Sequence, residues 1–152
     1  NNGWMLFSRR AQAVLANNSF KTYARSVEFP KTLLHQSIAD EVWLDIVRGD
    51  IETAVFKSFR AVEIAVREVG HFADTDIGVP LMRKAFDRAT GPLSDQKQPD
   101  AEREALAHLF AWAIGSYKNP HSHRTVTIND ATEAQEMVVL ASHLLRIVDS
   151  RL

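Results

Sequence analysis

Leu34, Ile38, Val42 and Ile46 recur at steps of four, and this stripe constrains the chain more than any other feature. Such spacing puts all four side chains on one face of a helix that must bury them against a second element. The run ends at Arg48-Gly49-Asp50. Glycine suits the left-handed residue past a helix end, and Asp50 suits the N-cap of the next helix. A second apolar pattern follows at once through Ala54, Val55, Val62, Ala65, Val66 and Val69, with Phe56 and Phe59 adding bulk. Glu52 complements the positive end of that helix. Two long helices joined by so short a turn must pack antiparallel, which points to an all-α bundle.

Further along, Gly70 and Asp74-Thr75-Asp76 break the pattern. A third helix is predicted over about 79–89, with Leu81, Met82, Ala85, Phe86 and Ala89 inward and Gly91-Pro92 as its stop. Residues 94–99 read as an exposed loop. A fourth helix is predicted from Pro99 or Asp100, with Asp100, Glu102 and Glu104 early in it and Leu106, Leu109, Phe110, Ala113, Ile114 and Tyr117 as its apolar face. Asn119-Pro120 is expected to end it, because a residue before proline is pushed out of helical geometry. Residues 124–128 look extended. Asp130 and Glu133 make a capping-box-like pair for a last helix, lined by Met137, Leu140, Ala141, Leu144, Leu145 and Val148. The expected architecture is all-α: a bundle of four main helices over residues 31–152, with residues 1–30 as an N-terminal extension or linker that carries a short helix over about 4–17.

Composition narrows the function. The 152 residues suit one core, and 45% apolar with 24% charged residues is ordinary for a soluble domain. No apolar run is long enough to cross a bilayer, so no membrane role is expected. There is no secretory signal. The chain starts Asn1-Asn2-Gly3-Trp4 without an initiator Met and reads as a piece of something longer. The absence of cysteine removes disulfides, thiolate zinc sites and a cysteine nucleophile, and is compatible with a reducing cytosol. A net charge of −1 argues against a dedicated non-specific nucleic-acid binder, so any nucleic acid must be held by a local cluster or brought by another domain.

That cluster is Lys118-Asn119-Pro120-His121-Ser122-His123-Arg124, directly after a strongly apolar helix. These residues suit RNA phosphodiester cleavage. Imidazole can take the 2′-hydroxyl proton or protonate the leaving 5′-oxygen. Lys118 or Arg124 can stabilise charge on the phosphoryl oxygens, and Asn119 can hold the phosphate or orient a histidine. No metal or other cofactor is required. Two plainer readings stand beside this one. Lys-Asn-Pro is a common way to finish a helix. His121 and His123 form an H-x-H pair that can bind metal, with His35, His71, His108 and His143 as further donors, but no third ligand stands at a fixed spacing.

Several blocks also look familiar. Residues 109–124, residues 54–68, Leu81-Met82-Arg83-Lys84-Ala85-Phe86 and Leu144-Leu145-Arg146-Ile147-Val148-Asp149 resemble, in order, the C-terminal part of the Ymh-type family of uncharacterised bacterial proteins. The likeness runs from about Leu34 to Leu152. That family is similar to the HEPN superfamily of helical bundles, many of them ribonucleases in toxin–antitoxin, abortive-infection and CRISPR systems. The HEPN motif is an arginine, a polar residue and, after four to six intervening residues, a histidine. Lys118, Asn119 and His123 fall on it, with lysine where arginine is usual; the charge is kept and the bidentate fork is lost.

The resemblance therefore implies a cytoplasmic, metal-independent endoribonuclease of a defence or toxin system. Lys118, Asn119, His123 and Glu63 would be its catalytic set, and His121, Ser122 and Arg124 would bind substrate. It implies RNA as substrate, a homodimer with both motifs facing one cleft, and an antitoxin or a sensor domain as partner. The alternative is a non-catalytic HEPN-like dimerisation or partner-binding module of a larger defence protein. Glu63 either approaches the motif, orienting His123 or pairing with Lys118, or forms a plain intrahelical pair with Arg60 or Arg67. Trp112, amid Ala111, Ala113 and Gly115, is either core or an exposed contact residue.

Overall fold

The computed structural model describes residues 28–119 and 127–152, and these residues form helices and turns without a strand. A 3-10 turn over Lys31–Leu33 leads into α1, Ala39–Arg48. Helix α2 spans Ile51–Val69, α3 Gly78–Ala85, α4 Asp100–Ala113 and α5 Ala131–Asp149. Between α4 and the segment that follows lies a π-helical turn, Ile114–Lys118.

Helix α2 is the hub, packed against α1, α3, α5 and the π turn. The reason lies in its sequence: Ala54, Val55, Phe59, Val62 and Val66 are fully buried. The opening stripe is realised as expected, since Leu34, Ile38, Val42 and Ile46 are all buried. The helix itself starts only at Ala39, however, so Leu34 is delivered by the turn before it. Gly49 sits in the left-handed region at φ 83° and closes α1. Asp50 holds the N-cap position of α2, but its side chain makes no cap hydrogen bond. At α5 Asp130 caps the helix by accepting from the Thr132 N–H at 2.9 Å, which is the Asp130 half of the expected pair with Glu133.

Three expectations need correction. Helix α3 ends at Ala85, four residues before the predicted end, and Ala89 is exposed. The cause is Asp87, whose carboxylate accepts from the N–H groups of Ala89 and Thr90 and from the Thr90 hydroxyl. A side chain that satisfies the backbone in a turn competes with the helix. Leu109 faces outward at 39% exposure rather than joining the core. Asn119 keeps helical geometry, φ −61° and ψ −43°, although Pro120 follows, because its N–H still bonds to the Ile114 carbonyl across the π turn. Of the extended piece expected at 124–128, only residues 127 and 128 are described; they lie outside any helix, and Ile128 is buried. Residues 124–126 and the N-terminal helix expected at 4–17 lie outside the described residues.

Candidate functional site

Glu63 is the centre of the site. It lies in the middle of α2 and is only 5% exposed. A buried carboxylate must be compensated or it will not ionise. Three groups converge on it. The Gly78 N–H donates to its Oε2 at 2.6 Å, the Lys118 Nζ stands 3.2 Å from the same oxygen, and Arg67 reaches to 4.0 Å of Oε1. The Lys118 side chain is itself largely buried, at 14% exposure. Both readings of Glu63 thus hold in part. It pairs with the motif lysine and has Arg67 as a looser intrahelical neighbour, while Arg60 is exposed.

The π turn brings Lys118 there. A π turn inserts one residue relative to the α-helical ladder and rotates everything after it, and such turns are frequent at functional sites. Tyr117 stacks on Phe59 with ring centroids 5.0 Å apart. Phe59 lies one helical turn before Glu63 on α2, so seating Tyr117 on Phe59 carries Lys118 to Glu63. Gly115, within the turn, lets α3 approach closely: a Cβ there would stand 3.2 Å from Val79.

Gly78 supplies the third wall. At φ 66° it adopts a conformation that favours glycine, which aims its N–H at Glu63 and starts α3. A Cβ at Gly78 would meet the Asn119 amide at 3.8 and 4.0 Å, so the Asn119 side chain lies over this residue. Arg67 donates to the Asp76 carbonyl at 3.3 Å and approaches the Asp74 carboxylate at 3.9 Å, which ties the 71–77 loop to α2.

Three of the seven expected site residues, Glu63, Lys118 and Asn119, are therefore brought together. His121, Ser122, His123 and Arg124 lie outside the described residues, so the H-x-H metal reading lies there too. Among the described residues no three metal-ligating side chains converge. Gly78 was missed by the sequence reading, which began the helix at Val79; its only signal was a glycine just after the Asp74-Thr75-Asp76 break. Trp112 is 73% exposed while Ala111 and Ala113 are buried, which settles it as a surface residue. It forms an apolar patch with Ala105 and Leu109, beside His108.

The fold and site define an all-helical protein with a buried carboxylate–lysine pair at the end of its fourth helix. The chain belongs to the family described as "Protein of unknown function (Hypoth_ymh)", whose model matches residues 32–148. No curated protein and no solved structure matches it. No helix among the described residues is long and apolar enough to cross a membrane.

Proposed function

We propose that this protein is a metal-independent endoribonuclease of HEPN type, acting in a bacterial defence or toxin–antitoxin system. The observation that supports it most is the Glu63–Lys118 pair. Burying an ion pair and shaping a π turn to reach it is an expensive way merely to finish a helix. It is a reasonable way to hold a cation and the adjacent Asn119 at the root of the His121–His123 segment. In this reading His123 takes the proton from the 2′-hydroxyl. That oxygen attacks phosphorus, and the 5′-oxygen leaves with a proton from an acid at the site, leaving a 2′,3′-cyclic phosphate. Lys118 and Asn119 stabilise the phosphoryl oxygens, and Glu63 fixes Lys118 in place. His121, Ser122 and Arg124 hold the RNA backbone. The site works in the cytoplasm as a homodimer with two motifs sharing one cleft, silenced by an antitoxin or governed by a sensor domain.

The test is digestion of RNA in excess EDTA by wild type and His123→Ala, with molecular mass measured on the same samples. Cleavage by the wild type that disappears in the variant supports the proposal. Intact RNA with a stable, folded dimer would overturn it. A second reading, a non-catalytic dimerisation or partner-binding module, is favoured by the exposed Leu109–Trp112 patch. It predicts that His123→Ala leaves the cellular phenotype unchanged.

A further inference from the structure

At the C-terminal end of α5, around Asp149, lies a second polar cluster that shares no residue with the Lys118 site. His35 is buried, at 8% exposure, in the turn that precedes α1. Its Nε2 is 2.8 Å from the Asp149 carboxylate, and its Nδ1 is 2.8 Å from the Ser37 hydroxyl. The Ser37 backbone N–H also points at Nδ1, at 3.3 Å. A backbone N–H can only donate, so Nδ1 carries the lone pair and Nε2 the proton. The proton on Nε2 then faces Asp149, and the Ser37 hydroxyl must donate to Nδ1. The backbone around the imidazole is held on α5: the His35 N–H donates to the Ser142 hydroxyl at 3.1 Å, and Arg146 donates to the Leu33 carbonyl at 3.0 Å.

This is a hydroxyl, a base and an orienting carboxylate in series, the arrangement that activates serine for nucleophilic attack. A local cap would explain the Ser37 contacts alone. It does not explain a carboxylate from 114 residues away on the other imidazole nitrogen. Ser37 is exposed and lines a cleft of about 180 Å³, whose other walls include Ile38, Glu41, Lys57 and Arg60. Lys57 is held cationic by its hydrogen bond to Asp45, which raises its pKa. Lys57 is paired with Asp45 at 2.8 Å and lies 3.8 Å from Glu41, so Arg60 is the cation of the cleft that is left to meet a small substrate carrying one negative charge.

We propose that Ser37, His35 and Asp149 form a second reactive site, in which Ser37 accepts the acyl group of a small anionic ester. Ser37 Oγ bonds to the carbonyl carbon as its proton passes to His35 Nδ1. The same proton goes to the alkoxide when the C–O bond breaks. Water then releases the acyl group by the same route, so ester and water become acid and alcohol. Asp149 is a positioning residue that fixes the tautomer and stabilises the imidazolium.

The full chain is treated with an alkyl fluorophosphonate and mapped by peptide mass spectrometry, and its hydrolysis of p-nitrophenyl hemisuccinate is followed. In the labelling step Oγ–P forms, P–F breaks, and the Ser37 proton passes to His35. The adduct is expected on Ser37 and absent from Ser37→Ala. Asp149→Asn, folded by circular dichroism, should label on the order of 10²-fold more slowly. Arg60→Ala should raise KM for the hemisuccinate without raising it for p-nitrophenyl acetate. A folded wild type that takes no label, an adduct elsewhere, or an unchanged rate in Asp149→Asn would overturn the relay. Equal KM changes for the two esters would overturn the anionic substrate class.

Discussion

Neutralising Glu63 should destabilise the fold out of proportion to the size of the change. Glu63→Gln preserves shape and keeps an oxygen able to accept from the Gly78 N–H at the observed 2.6 Å. What it removes is the charge opposite Lys118, whose side chain is only 14% exposed. Arg67, 4.0 Å away, gains no new partner there. Removing one member of a buried pair weakens the compensation of the other charge, and because Lys118 keeps a further contact besides Glu63 the cost is about 2–3 kcal/mol rather than that of a stranded charge. For a domain of this size that is a fall in Tm of roughly 10 °C. Lys118→Met should be destabilising for the mirror reason. The double variant should recover part of the loss, because the two substitutions remove the same charge–charge contact. Chemical and thermal unfolding of the four proteins at pH 7 closes a double-mutant cycle, with an expected coupling of about 1–3 kcal/mol. A coupling below about 0.5 kcal/mol would show that the pair does not hold the π turn to α2, and the reasoning from burial would be wrong.

Other consequences are simpler to state. Gly78→Ala should cost about 1 kcal/mol in denaturant unfolding, from backbone strain at φ 66° rather than from a clash, since the space around a Cβ is ordinary. Asp87 is held below the usual carboxylate pKa, first by the Thr90 backbone N–H and then by the Thr90 hydroxyl and the Ala89 N–H; Asp95 is depressed chiefly by the Lys97 N–H and Asp76 by Lys84. Depressed carboxylates stabilise the fold above their unfolded value, near pH 4, and that contribution is lost as pH falls through the folded values. Unfolding followed from pH 7 downward should therefore show stability falling below about pH 4, and Asp87→Asn should be less stable than wild type at pH 7, by a margin that shrinks as the pH is lowered below about 4. Trp112→Ser should change stability by less than about 0.5 kcal/mol, because the ring is 73% exposed, and a larger loss would mean the side chain is packed in solution.

How much of this was legible follows from the range of each interaction. The stripe Leu34–Ile46, the Gly49 turn and the Asp130 cap are local patterns, and local patterns are what periodicity and capping rules read. The end of α3 was misjudged because Asp87 has no apolar period; its effect comes from a side chain that folds back on the chain. Leu109 was misjudged because heptad-like spacing says which residues share a face but not whether a partner covers all of it. The π turn leaves no periodic trace, since one inserted residue among Ile114–Lys118 looks like ordinary helix. Pairings such as Glu63 with Gly78, or His35 with Asp149, are long-range and become visible only once the bundle is assembled. Of the candidate site, the sequence supplied the residue types and their cluster at 118–124, with Glu63 named through the resemblance, and the fold added the burial of Glu63 and the Gly78 N–H that bonds to it.

The most direct test of the central claim uses an RNA with a single 2′-deoxynucleotide at the mapped cleavage position, incubated with the wild type in excess EDTA. If the neighbouring 2′-hydroxyl is the nucleophile, that bond survives while cleavage of the all-ribose RNA proceeds to a 2′,3′-cyclic phosphate. Cleavage of the deoxy-substituted bond at an undiminished rate would contradict the account, since the attacking oxygen would then come from elsewhere.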